Sequence, residues 1–250
     1  MNKPFYLFLT VIAFCAFLCK KSMAQAAVGD TSSQQNALNN AVALYNSAIG
    51  IQAPLYSGIE YNFYDPHIKG NAYYLDINGF STGAVFYDGL LYNKVSLLYD
   101  LFTDELVVLL PNRVSKFVAI KERVKWFNYQ NGHFININAD TLANNAGIRS
   151  GYYLQIYKGR SEVLGRYEKT MQTSTNGTTG VENYFSQSKD FYFRKNNVYY
   201  RVNSQRALQD VLKEKKKELK KFISANDIQY RDNPEDALLK IATWYDHLSN

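Results

Sequence analysis

From about Leu55 to Val202 apolar and polar residues alternate in short runs rich in Tyr, Phe, Val and Ile, separated by clusters of Gly, Asn and Asp. A period of two with turn residues between the runs is the mark of antiparallel strands. In "GYYLQIYKGRSEVLGRYEK" Tyr152, Leu154 and Ile156 share a face, the chain turns at Lys158-Gly159, and it returns through Val163 and Tyr167. "FYFRKNNVYYRV" turns at Asn196-Asn197, "VKWFNYQNGHFININ" around Asn131-Gly132, and "GAVFYDGLLYN" at Asp88-Gly89. Gly, Asn and Asp tolerate the positive φ of such tips. A further turn is expected near Thr103-Asp104, before the run Val107 to Leu110. "TMQTSTNGTTGVEN", Thr170 to Asn183, lacks periodicity and reads as a mobile hairpin loop.

After Val202 the spacing becomes helical. Ser204 is placed to cap a helix whose stripe is Leu208, Val211, Leu212, Leu219, Phe222 and Ile223. A second helix starts at Asn233-Pro234, with acids in its first turn. Ahead of the strands, Leu38, Val42 and Tyr45 fall on one face of a short helix within Asp30 to Ala48. The expected fold is therefore α+β, mainly β: an antiparallel meander of roughly eight to ten strands, possible as a barrel-like curl, with an N-terminal helix and two C-terminal helices. Residues 1–24 read as a signal peptide, 25–54 as the N-terminal helix and linker, 55–202 as the β domain, and 203–250 as a helical pair packed on it.

The first segment changes the picture of location. Lys3 precedes an apolar run from Phe5 to Leu18, and small residues at Ser22 and Ala24 precede Gln25, the layout of a cleaved secretory signal. The run is shorter than the ~20 residues of a membrane-spanning helix. Lys20 and Lys21 sit awkwardly beside the cleavage region and leave an uncleaved anchor open. Lipidation of Cys15 or Cys19 needs a small residue before the cysteine, and Phe14 and Leu18 stand there. Export to the periplasm or the exterior is the expectation. The helical ending disfavours an outer-membrane barrel, whose chain closes in its last strand, so no transmembrane segment is expected in the mature chain. Both cysteines of the chain lie within the signal, so the mature protein has no disulfide or thiolate chemistry.

The formal charge of +6 loses three with Lys3, Lys20 and Lys21. The remaining +3 is too mild to imply nucleic acid. It concentrates in "RALQDVLKEKKKELKK", where Lys215, Lys216 and Lys217 could meet an acidic partner or anionic lipid head groups, or form the solvated face of a helix.

Chemistry is sparse. "GFSTG" matches the nucleophile elbow with Ser81, yet that elbow needs a strand-to-helix turn and a strand follows here, so a Gly-rich turn between strands is the better reading. Three histidines without metal-ligand spacing build no site, and "YDPH" reads as an Asp-Pro turn. Asp100, Asp104 and Glu105 are near one another only in sequence, which does not set a catalytic carboxylate spacing. No catalytic residue, metal ligand or cofactor is assigned. The oddity is 21 tyrosines, as either a stacking surface or rings on the rim of the core with their hydroxyls in water. Tyr87, Tyr92, Tyr99 and Asp100 are the candidate binding surface. Asp100 follows Leu97-Leu98-Tyr99 within a strand, where a carboxylate must be paired or hydrogen-bonded.

"GNAYYL", "GAVFYDGLLYNKVSLLYDLFTDELVVL", "GHFI", "GYYLQIYKGRSEVLGR" and the C-terminal "LKEKKKELKKFISANDIQYRDNPEDALLKIATWYDHL" together resemble a family of secreted proteins of Bacteroidota, from about Leu55 to the end. The resemblance implies an envelope location and a shared fold, and carries no activity, catalytic residue or cofactor. The functional expectation is a non-catalytic envelope protein that binds another protein or assembles on a surface. The alternative is a small-molecule or glycan module with a pocket in the curled sheet, and a hydrolase using Ser81 or the acids near Asp100 stands third.

Overall fold

The computed structural model describes residues 50–142, 147–176 and 180–248, with scattered positions between 33 and 45. The predicted signal peptide lies outside the described residues, as does most of the predicted N-terminal helix. The chain divides into Met1–Asn40 and Ala41–Asn250, and the second unit carries the fold.

Ten strands form one antiparallel sheet: β1 (Ser81–Tyr87), β2 (Leu90–Asp100), β3 (Glu105–Leu109), β4 (Lys116–Val118), β5 (Val124–Tyr129), β6 (Gly132–Ile137), β7 (Gly151–Lys158), β8 (Glu162–Asn176), β9 (Gly180–Lys195) and β10 (Val198–Arg201). Their order is β10-β9-β8-β7-β6-β5-β1-β2-β3-β4. Tight turns fall at Asp88-Gly89 and Asn196-Asn197, all with positive φ. The third turn is shifted by one residue from expectation. Gln130-Asn131 make the loop and Gly132 opens β6, where a Cβ would lie 2.7 Å from the Phe134 ring. That glycine answers to packing, not to turn geometry.

The sheet is strongly curved. β2 and β7 are four places apart in the order, roughly 19 Å in a flat sheet at ~4.8 Å per strand, yet the rings of Tyr99 and Tyr152 lie 5.8 Å apart. Tyr99 also meets Phe127 at 5.3 Å and Phe134 at 5.2 Å. The concave face is therefore filled by its own aromatics. Tyr74, from the turn Tyr74–Asp76, enters this core against Tyr99, Tyr129, Phe134 and Tyr167. The curl is tied at its end by the β2–β3 turn. Asp104 accepts from the backbone N–H of Tyr152 (3.3 Å), pairs with Lys121 (2.5 Å) and faces the buried Arg166 at 3.6 Å.

Two expectations need correction. The Thr-rich segment is not a loop, because β8 and β9 continue pairing to Asn176 and Gly180, and β-branched threonines suit an extended backbone. Only residues 177–179 at the tip lie outside the described residues. The basic helix is two helices, α1 (Gln205–Val211) and α2 (Lys216–Ala225), with a 3₁₀ turn over Lys213–Lys215. Lys195 Nζ donates to the Val211 carbonyl (2.9 Å), and the Lys215 N–H turns to Leu212 instead. α3 (Pro234–Leu248) packs with α1 and α2 on Val163, Phe191 and Phe193 of the sheet.

Candidate functional site

The loop Tyr61–Phe80 lies along the outer face of β2 and β3, and its local chemistry fixes its path. Asp65 makes the expected turn, with its carboxylate accepting from the His67 N–H at 2.9 Å. Asn71 accepts from the Tyr73 N–H (2.9 Å) and donates to the Asp76 carbonyl (2.8 Å). Lys169 Nζ, buried beneath, donates to the Asn71 carbonyl (2.7 Å) and to the Asp76 carboxylate. The pinned loop sends Tyr73 to the outer side of the sheet and Tyr74 into the core. Leu75 and Asp76 take positive φ to allow it.

This loop supplies the donors that Asp100 requires. The carboxylate is fully buried, and Oδ2 accepts from Tyr61 and Tyr64 hydroxyls at 2.7 Å each. Oδ1 accepts from the N–H of Phe102 (2.8 Å) and of Thr103 (3.3 Å). All four contacts are donors, the complement an acceptor-only carboxylate needs. Burial raises the Tyr61 and Tyr64 hydroxyls well above the usual tyrosine range, and their bonds to Asp100 add to it. Both therefore remain protonated donors.

Over this cluster opens a pocket of about 550 Å³, whose apolar walls are Phe63, Tyr64, Pro66, Ile68, Tyr73 and Phe185. Tyr64, Phe102 and Phe185 form a mutual edge-to-face triad with centroids 5.3 to 5.7 Å apart. Phe63 is half exposed and already carries the Lys116 ammonium 4.9 Å from its ring centre. Phe185 comes from β9, which is held to the loop by backbone bonds between Lys69 and residues 183 and 185 (2.9 and 3.0 Å). Asn71 and Asn78 add amides at the rim. The walls can bury rings or alkyl chains, while Asp100 is sealed behind the tyrosines and cannot reach a substrate.

The other candidates disperse. Tyr87, Tyr92 and Tyr99 are buried in the concave core and form no stacking surface. The hydroxyls of Tyr87, Tyr92 and Tyr152 are buried without a hydrogen-bond partner among the described residues, so the expectation that rim tyrosines keep their hydroxyls in water fails for them. Tyr99 donates to Asp104 at 2.7 Å. Lys215 lies in the turn between α1 and α2, Lys216 pairs with Asp210 at 3.2 Å, and Lys217 is exposed on α2. None of the three lines the pocket. Ser81 opens β1 rather than occupying a turn, and its hydroxyl accepts from the Gln130 amide at 2.5 Å. Among the described residues no group of three or more His, Cys, Asp or Glu is arranged for a metal. Among the same residues no helix is long and apolar enough to cross a membrane.

Fold and pocket define a curled antiparallel β protein with an aromatic-walled pocket on its outer face. Comparisons with protein-family models, curated proteins and solved structures find no match to this chain.

Proposed function

We propose that the protein is an exported, non-catalytic binding protein of the cell envelope, whose aromatic pocket takes a small, largely apolar ligand. The observation that carries this reading is a pocket walled by Phe and Tyr directly over a carboxylate whose four acceptor positions are all filled. Its size and lining are those of small-ligand sites. An enzyme would need a reactive group facing that space, and the pocket walls offer rings, amides and a turn Asp. The envelope location rests on the N-terminal charge and hydropathy pattern.

A second reading, a protein partner that inserts an apolar side chain, draws on the exposed rings of Phe63, Phe102 and Tyr184. Both readings share the pocket wall at Phe63. Titration with N-phenyl-1-naphthylamine, a neutral fluorescent probe, tests the pocket. Saturable binding is expected, weakened about tenfold or more by Phe63→Ala or Phe185→Ala, since losing part of a buried ring is worth on the order of 1.5 kcal/mol. No saturable binding, or binding indifferent to both substitutions, overturns the pocket as the site.

A further inference from the structure

The convex face of the sheet is covered at both ends by the chain itself. At the β2–β3 end Tyr61, Ala72 and Tyr73 pack on Leu98 and Val107. At the β7–β10 end Leu142 and Ile148 pack against Tyr153, Leu164, Tyr192 and Tyr199. Between them the outward residues of the first part of β2 and of β1, β5 and β6 form two cross-strand rows. One runs Leu91, Phe86, Trp126, Ile135, and the next runs Asn93, Ala84, Asn128, His133.

The first row carries a stacked aromatic pair and the second borders a polar recess. Phe86 and Trp126 stack at 5.7 Å with 18° between their planes. His133 leans on Trp126 at 5.3 Å, and its Nδ1 bonds Asn128 Oδ1 at 2.6 Å, which leaves the Asn128 amide N–H₂ as a donor. Ala84, the small residue between two asparagines, deepens a recess of about 840 Å³.

Two β-bulges deliver the charge. Pairing passes from Gly83↔Val95 to Ala84↔Asn93, so Lys94 is the extra residue, with φ +55. Pairing passes from Phe86↔Trp126 to Tyr87↔Val124, so Lys125 is extra. Bulges re-aim side chains, and here Lys94 lines the recess while Lys125 Nζ sits 5.6 Å over the Phe86 ring. No residue lining the recess is acidic, and the nearby Asp88 faces Arg123 at 3.9 Å. Lys158 adds positive potential that, after burial, holds the His133 imidazole below its usual range.

We propose that this strip is a second binding site, for an acidic saccharide: a pyranose packs on the solvent side of the Trp126–Phe86 pair, its hydroxyls meet Asn93, Asn128 and His133, and successive carboxylates or sulfates along the saccharide meet Lys94 and Lys125. An aromatic pair with planar amides suits sugar rings, and two lysines at a recess with no acid among its described lining residues select an anion. The site is separate from the aromatic pocket and does not depend on what that pocket takes.

The test is calorimetric titration of the mature protein with tetragalacturonate, and with maltotetraose as the neutral control. Tetragalacturonate should bind with an affinity that falls as salt rises, at least tenfold tighter than maltotetraose. Trp126→Ala should weaken it at least tenfold. Lys94→Asn with Lys125→Gln should abolish the preference over maltotetraose, asparagine being chosen because it tolerates the positive φ at position 94. Phe63→Ala should change nothing. If Trp126→Ala fails to fold, Trp126→Leu keeps the apolar bulk and removes the stacking face. Equal binding of both saccharides, no binding of either, or tetragalacturonate binding unaffected by the lysine pair overturns the proposal.

Discussion

Replacing Asp100 with alanine strips an acceptor from four donors at once, and those donors differ in what they can do afterwards. The N–H groups of Phe102 and Thr103 lie in the β2–β3 turn and can turn to water. Tyr64, half-buried beside the pocket, regains part of its hydration. Tyr61 is 5% exposed and keeps only a long contact to the Tyr73 hydroxyl at 3.4 Å, so it bears most of the cost of a poorly met buried donor, about 1–3 kcal/mol. With partial losses at the other three, the total is about 3 kcal/mol. At roughly 2–4 °C per kcal/mol for a chain of this size, the melting temperature drops about 6–12 °C. Asp100→Asn should cost less, about 1–2 kcal/mol, because its Oδ1 keeps both backbone donors and its amide can donate to tyrosine oxygens. Tyr61→Phe should cost about 1.5 kcal/mol in the wild-type background and under about 0.5 kcal/mol in Asp100→Ala, where the hydroxyl has lost its acceptor. Urea unfolding of the four proteins of this cycle measures the coupling directly. A coupling near zero, or an Asp100→Ala protein within about 0.5 kcal/mol of wild type, would show that the carboxylate does not hold the loop.

Three other outcomes follow from packing and titration. Folding raises the buried hydroxyls of Tyr61, Tyr99, Tyr152 and Tyr167 above 10, chiefly by desolvation; stability is therefore full below pH 10 and lost as pH rises beyond it. Tyrosinate absorbance should climb in a step that coincides with loss of the β-sheet circular dichroism signal, whereas a smooth titration on a folded protein contradicts the burial. Burial alone would raise the Glu214 carboxyl, but Lys195 (2.6 Å) and Tyr245 (2.9 Å) outweigh it and hold its pKa below 4.5; this contribution is present above pH 4.5 and fades as pH falls through the lowered value. Hydrogen exchange in α1 and α2 should quicken there first, and equal quickening in Glu214→Gln would refute the link. Gly58→Ala would place a Cβ 1.7 Å from the Val118 carbonyl oxygen, forcing the segment before Tyr61 off β4 at a cost of about 2–3 kcal/mol. An unchanged urea midpoint would mean the two backbones are not in contact.

Strand existence and turn position were legible because period-two alternation and turn residues coincide, as at Asp88-Gly89 and Asn196-Asn197. Asp100 was legible for the same reason turned around: a carboxylate after Leu97-Leu98-Tyr99 breaks the pattern, and the structure supplies the four donors the anomaly demanded. The residues above it were not. Phe63 and Tyr64 lie in an aperiodic loop, Phe185 sits far along the chain in β9, and tertiary contacts from Lys69 to β9 and from Lys169 of β8 to the loop bring them together. The helix break between α1 and α2 was hidden too, because an apolar stripe survives across it. What ends α1 is Lys195, a residue of a strand.

The tyrosines show why composition misleads where topology decides. Tyr92 and Tyr99 are seven residues apart on β2, so strict alternation puts them on opposite faces; the extra residue Lys94 brings both to the face of Tyr87, and alternation does not say whether that face is convex or concave. Curvature decides: a face that closes on itself brings rings four strands apart into contact and dries them, while the opposite face of the same strands keeps Phe86 and Trp126 half-buried in reach of solvent. The lysines illustrate the complementary failure. Counting by twos along β5 from Trp126 sends Lys125 inward with Phe127, and counting along β2 sends Lys94 inward with Tyr92. One extra residue in each strand reverses both assignments. A bulge has no fixed residue signature, since it exists only relative to the partner strand's register. The cationic rim of the convex strip is thus a property of strand pairing that a single strand's sequence does not contain.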